Sequence, residues 1–246
     1  MPETVTDTAH PGLGGIPFVL GGNVFGMTAD RDASFAVLDA FYEVGGRSID
    51  TADGYSSWIA GNKGGESEAL IGEWMESRKV RPEMKIATKT GQGGIAGLLD
   101  PDKVAAAIDD SLERLRTDYV DLYYVHRDQP DMAMEGIVET FHKVHAAGKA
   151  RELGISNVSH DRLQLALGHA EANGLIPFTV LQPNFRWKRM NLPCRAALRC
   201  CPITGSPPVS CQASIAARLI LSAASASRTP GCSQKLAGLP CPCWKP

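Results

Sequence analysis

Between residues 16 and 182, short apolar runs alternate with amphipathic stretches six times, at a period of roughly 30 residues. Few folds accept that rhythm. A strand that returns to the same sheet through a helix must run parallel to its predecessor, by a right-handed crossover, and the helices then cover the sheet. The predicted strands are residues 16–20, 47–51, 84–88, 119–125, 151–155 and 178–181. Five helices lie between them. The first, 30–44, carries Phe35, Leu38, Phe41 and Tyr42 at helical spacing and stops at Gly45-Gly46. The second, 66–78, carries Leu70, Ile71, Trp74 and Met75 on one face. The third runs to Leu115 from a predicted Asp100 cap, with Pro101 suited to its first turn. The fourth, 135–147, ends at Gly148, and the fifth, 161–172, at Asn173-Gly174. This is the grammar of an (α/β)8 barrel, which needs eight units. Six are recognisable, so the expected fold is α/β, an incomplete barrel.

The pattern stops near Phe185, and the composition breaks with it. All 27 acidic residues lie at or before Glu171, and all seven cysteines at or after Cys194. Residues 1–185 carry 16 basic and 27 acidic groups, a net of −11, whereas residues 186–246 carry +9 with eight of the 16 prolines. The expected organisation is therefore a barrel segment over 1–185 and an unrecognisable tail over 186–246, out of frame or disordered. With only six units, the strands at 16–20 and 178–181 are expected to lack partners. Cys241-Pro242-Cys243 resembles half a metal site, but no second pair accompanies it and the last histidine is His169, so no metal site is predicted.

The overall charge of −2 argues against a nucleic-acid surface. No run of 18 apolar residues is present, which argues against a membrane span. The polar, acidic N-terminus is unlike a signal peptide, so a cytoplasmic, reducing setting is expected.

Three successive predicted strand ends carry chemistry. Asp50 closes the second strand, with Tyr55 five residues beyond, Lys89 ends the third, and His126 ends the fourth. Taken alone, each has an ordinary explanation: a cap, a solvated lysine, a histidine satisfying a carbonyl. Strand mouths, however, are where α/β proteins place their reactions. A lysine beside a phenol favours phenolate and is expected to lower the tyrosine's pKa. A carboxylate offsets the lysine, and an imidazole can hydrogen-bond a reacting carbonyl oxygen. The set suits protonation of that oxygen as hydride arrives at its carbon. It contains no hydride source, so a cofactor is implied.

The sequence resembles the aldo-keto reductase family. The carrying motifs are Asp50-Thr51-Ala52-Asp53-Gly54-Tyr55, Gly65-Glu66-Ser67-Glu68, Thr88-Lys89, the segment from Asp121 to His126, and Gly148 to Asn157 with its Gly154-Ile155-Ser156-Asn157 end. Gln182-Pro183-Asn184-Phe185 is similar to a further family segment, so the resemblance covers about residues 12–185. It implies an (α/β)8 barrel, a small-molecule aldehyde or ketone as substrate, and a nicotinamide cofactor, usually NADPH. By match, Asp50, Tyr55, Lys89 and His126 form the catalytic tetrad. Ser156, Asn157 and Gln182 fall where the nicotinamide carboxamide is held, and Gly22 and Asn23 fall in the cofactor-lining turn after the first strand, with Asp50 also at the cofactor's edge. The alternative within the resemblance is a non-catalytic regulatory or binding subunit on the same barrel.

The family's last two units, which hold the pyrophosphate and a 2′-phosphate, are not recognisable after Phe185. NADH therefore stays open beside NADPH, as does the oligomeric state. A frameshift accounts for the loss. Residues 213–220 can be encoded GCA AGT ATC GCA GCG AGG CTG ATC. With the last G of a CAG codon for Gln212, the same bases read Gly-Lys-Tyr-Arg-Ser-Glu-Ala-Asp one frame over, similar to the family after its seventh strand. The chain is accordingly expected to be inactive through loss of those units.

Overall fold

The structure is a computed structural model, and it describes residues 18–92 and 97–182 together with the backbone of a short strand at 199–200. The described residues all belong to one compact unit, Met1–Gly205; the second unit, Ser206–Pro246, lies outside them, as do the Cys-Pro-Cys segment and most of the tail considered above.

Seven parallel strands form one curled sheet in sequential order: β1 (Val19–Gly21), β2 (Ser48–Asp50), β3 (Lys85–Thr90), β4 (Val120–Val125), β5 (Ala150–Ser156), β6 (Val180–Gln182) and β7 (Arg199–Cys200). Helices α1 (Arg31–Glu43), α2 (Glu66–Arg78), α3 (Pro101–Leu115), α4 (Met134–Ala146) and α5 (His160–Asn173) link the first six. The alternation predicted from sequence is the architecture observed, an incomplete (α/β)8 barrel. No described helix is long and apolar enough to cross a membrane.

Local chemistry explains most boundaries. Asp30 caps α1 by accepting from the Ala33 N–H at 2.9 Å, and Ser159 caps α5 through the Arg162 N–H. Arg116 closes α3 and Gly174 closes α5 in the left-handed region. Asp100 occupies the cap position of α3, but its side chain makes no cap bond and lies instead 3.7 Å from Lys103, so the expected cap is not formed. The sixth strand begins at Val180, not at residue 178; Phe178 packs against the Phe141 ring of α4, 5.9 Å away, and is core before the strand starts.

The core lies between sheet and helices. Trp74, Met75, Ile86, Ile108, Tyr123, Phe141 and Ile155 are all at most 1% exposed within it. At roughly 1.5–3 kcal/mol per buried large side chain, this layer dominates stability.

β6 does not lack a partner. β7 pairs with it in parallel, Val180 opposite Arg199 and Leu181 opposite Cys200. The expectation of an unpaired sixth strand is therefore corrected. Ladder bonds use backbone groups alone, so a segment without apolar alternation can still satisfy a strand's free N–H and C=O groups. β1 and β7 are the outer strands among the described residues.

Candidate active site

The parallel register carries the four predicted residues to one end of the sheet. Gly21 pairs with Asp50 and Asp50 with Ala87, while Lys89 pairs with Tyr124 and Tyr124 with Gly154. β3 runs one residue past Lys89, to Thr90, whose carbonyl accepts from the His126 N–H at 2.8 Å. His126 is thereby fixed at its backbone directly beyond β4.

Lys89 is the hub. Its Nζ donates to Asp50 Oδ2 at 2.7 Å, to the Thr51 carbonyl at 2.7 Å and to Tyr55 Oη at 3.0 Å. An ammonium has three protons, so its capacity is filled. The side chain is 1% exposed, yet it remains a cation: burial pulls its pKa down, but the Asp50 carboxylate and Tyr55 outweigh that, and the net shift is upward. The Tyr55 and Tyr124 rings face the ammonium at 4.8 and 5.9 Å. Gly154 makes room for the second ring, because a Cβ there would run into the Tyr124 ring atoms.

Tyr55 departs from expectation. Burial is the largest influence and raises its pKa; the Lys89 charge works the other way, and the Asp50 carboxylate adds to the rise. The net shift is upward because burial outweighs the Lys89 charge, part of which Asp50 offsets. In this state Tyr55 is a firmly protonated donor rather than an acidified one. Its ring meets that of His126 edge-on, with centroids 5.7 Å apart.

Burial, and then the charges of Lys89 and Arg127, push the His126 pKa down to about 3, so the imidazole is neutral at physiological pH. Its Nδ1 is buried and has no hydrogen-bond partner among the described residues.

The predicted cofactor residues join the same cluster. Ser156 Oγ donates to the Gln182 carbonyl at 2.8 Å, and Asn157 Nδ2 donates to the His126 carbonyl at 2.9 Å and to Ser156 Oγ at 3.0 Å. Asn157 is left-handed, with φ of 51°, which turns the chain out of β5 toward His126. Gln182 Nε2 donates to Asp50 Oδ2 at 3.2 Å. The Gly22 N–H donates to the Asp50 carbonyl at 2.8 Å, and the Gly22 carbonyl accepts from Ser67 Oγ at 2.7 Å. A Cβ on Gly22 would lie 2.9 Å from that hydroxyl, so a close approach of backbone to α2 explains this glycine. Asn23 is half-buried in the turn that follows.

The Gly65–Glu68 motif does more than open α2, and this was not foreseen from the sequence. Ser67 ties α2 to Gly22 and, at 2.8 Å, to the Thr51 hydroxyl. Glu68 is fully buried, accepting from Thr88 Oγ1 at 2.5 Å and from Arg114 Nε at 2.7 Å, directly behind Lys89. Two polar residues on the face of α2 that the apolar pattern assigns to the core were the available signal. The fork of Arg162 on Asp128, described below, was also missed.

The orphaned acceptors test whether a nicotinamide fits. Asp50 Oδ1 and Gln182 Oε1 are buried with no partner among the described residues. An amide group brings the N–H donors such acceptors lack, so the chemistry of the donor set is compatible with a carboxamide.

Comparison with known proteins gives a consistent neighbourhood. The Aldo/keto reductase family model matches residues 17–195, past the boundary near 185 expected from the motifs. An aryl-alcohol dehydrogenase [NADP(+)] of Phanerodontia chrysosporium is 35% identical over 172 residues, 64% of this chain and 43% of that protein. Norsolorinic acid reductase B of Aspergillus parasiticus is 35% identical over 183 residues, 68% of this chain and 46% of that protein. An uncharacterised 11.2 kDa protein of Pseudescherichia vulneris is 51% identical over 76 residues, 30% of this chain and 74% of that protein. The chain spans about half the length, or less, of the dehydrogenases and reductases it matches.

Proposed function

This chain belongs to the aldo/keto reductase family, and from that premise we propose that its barrel segment carries the chemistry of an NADPH-dependent reductase of aldehydes or ketones. The carrying observation is the buried Lys89 ammonium shared among Asp50, Thr51 and Tyr55. The names of the aryl-alcohol dehydrogenase relatives favour aromatic carbonyl compounds as substrates.

A bound nicotinamide would supply the hydride that reaches the carbonyl carbon, while Gln182, Ser156 and Asn157 would hold its carboxamide. Tyr55 gives its proton to the carbonyl oxygen as that bond forms, and the product is the alcohol. Lys89, 3.0 Å from the phenol oxygen, stabilises the phenolate left behind. Asp50 keeps Lys89 charged and oriented. His126, neutral, contributes a hydrogen bond to the reacting oxygen and not a competing proton. NADH remains the alternative donor, since the residues that would meet a 2′-phosphate lie outside the described ones. We extend this segment to residue 195, where the family match ends, and read the remaining residues as an out-of-frame tail that costs the 246-residue chain its activity.

The test is an NADPH-oxidation assay with aromatic aldehydes, run on this chain and on a version with the reading frame restored after residue 195. The restored protein turns over, and Tyr55→Phe in it loses at least about 10²-fold in kcat. Near-native turnover by Tyr55→Phe would remove Tyr55 from the acid's role.

A further inference from the structure

His126 raises a mechanical problem. An imidazole that must present one nitrogen to a substrate is usually oriented by a hydrogen bond at the other. Here Nδ1 is buried and has no such partner among the described residues. The ring's orientation must then come from the backbone that carries it and from the edge-on contact with Tyr55. What fixes that backbone is therefore part of the site.

Besides the Thr90 carbonyl, which holds the His126 N–H, two clamps act on this segment, both from the stretch after β5. Asn157 Nδ2 donates to the His126 carbonyl at 2.9 Å. Five residues on, Arg162 in the first turn of α5 grips the loop that leaves His126. Its Nε donates to Asp128 Oδ2 at 2.6 Å, and one terminal nitrogen shares its two protons among Asp128 Oδ1 at 2.8 Å, the Gln129 carbonyl at 3.1 Å and the Met132 carbonyl at 3.0 Å. The Asp128 side chain is 5% exposed and that of Arg162 18%, so water screens the pair little. The planar fork fixes direction as well as distance, which a lysine would not. Arg162 is itself held in place, because its N–H is the one capped by Ser159.

We propose that Arg162, through Asp128, is a positioning residue for His126: the fork locks residues 127–132 against α5 and thereby sets the imidazole's orientation toward Tyr55. This rests on the placement of His126 in the reductase site proposed above. The fork touches no reacting atom. It substitutes for the hydrogen bond that Nδ1 lacks, and it couples the β4 mouth, with its imidazole, to the β5 mouth, with Ser156 and Asn157. Asn157 ties the two mouths at the His126 carbonyl, and the fork adds a second tie on the loop that follows.

The experiment is NMR of the 246-residue chain with isotope-labelled histidine and tyrosine, without cofactor, comparing native protein with Arg162→Lys and with the double variant Asp128→Leu/Arg162→Met. The double variant leaves no unpaired buried charge, so it tests the clamp where a single variant fails to fold. In solutions dilute enough that light scattering shows no association, the native chain gives one set of His126 ring signals with cross-relaxation to the Tyr55 ring. Both variants, folded by their melting curves, lose that cross-relaxation and show broadened or doubled His126 signals, while the other histidines are unchanged. Unaltered His126 signals in the folded double variant would overturn the proposal, as would failure of both variants to fold, which would make the pair a folding element only. Absence of carbonyl reduction by the frame-restored protein would instead overturn the proposed function and leave this result standing.

Discussion

Lys89 and Asp53 show how differently burial acts on two neighbouring charges. Lys89 has its countercharge at 2.7 Å and stays ionised. Lys89→Met strands the Asp50 carboxylate in the interior, and breaking such a pair costs about 3–5 kcal/mol. In the frame-restored protein it should also lower kcat by about 10²-fold or more while NADPH affinity stays within a few-fold. A collapse of cofactor affinity with kcat intact, read by fluorescence titration, would make Lys89 a phosphate ligand instead. Asp53 has no such partner at hand. Burial first, with Glu68 adding, raises its pKa from 3.8 to about 6, against opposing help from Thr90, Gly54 and Arg114. The protonated acid is the form the fold prefers. Its contribution is fully present below the unfolded pKa and is lost as pH rises through about 6. Asp53→Asn mimics that form, so it should raise the unfolding free energy near neutral pH by at most about 3 kcal/mol, read by denaturant titration, and leave it unchanged near the acid end. An equal effect at both ends would show that Asp53 is already ionised without penalty.

At the scale of elements, α2 and α3 meet unusually closely. A Cβ on Gly72 would lie 2.7 Å from the Leu115 carbonyl carbon and nearer still to the Arg114 carbonyl oxygen. Those are backbone atoms in the last turn of α3, which cannot rotate aside. Gly72→Ala must push the helices apart and strain the Arg114–Glu68 pair that spans them at 2.7 Å. Overpacking of this kind costs about 1–3 kcal/mol. Denaturant unfolding should show it, and because Glu68 also holds Thr88, the loss should reach β3 and appear as faster amide exchange at Lys89 and Thr90. An unchanged midpoint would mean that the helices can part freely. The same interface explains a glycine the helical pattern alone would disfavour.

For the whole molecule, the decisive feature is its sheet edges. β1 and β7 have no further strand partner among the described residues, and Phe18 and Val44 are 54% and 60% exposed. Parallel sheets are ordinarily covered on both faces, and open edges template association. With −11 on residues 1–185 and +9 on residues 186–246, charge also favours contact between copies. The 246-residue chain is expected to self-associate in light scattering and to show no micromolar NADPH binding by fluorescence quenching. A monomer with a cooperative melt and micromolar affinity would show that the tail supplies what the proposed frameshift removes.

The order of the elements and the placement of Asp50, Lys89 and His126 at strand mouths, with Tyr55 just beyond, were readable from the residues, because both rest on local rules, whereas the catalytic roles rest on the family resemblance. Helical spacing, stop signals and crossover handedness act within about 30 residues. A charged or phenolic side chain directly after an apolar strand can be placed at the sheet's mouth without knowing anything else. The tertiary structure decided the rest. Whether Tyr55 is acidified depended on the balance between burial and a lysine already paired to Asp50. The work of Ser67 and Glu68 depended on which strands α2 covers. The fork of Arg162 on Asp128 joins residues 34 apart in sequence, and β7 meets β6 without any alternation to announce it. Each of these is a through-space hydrogen bond or field, whose partners are chosen by packing and leave no period in the sequence.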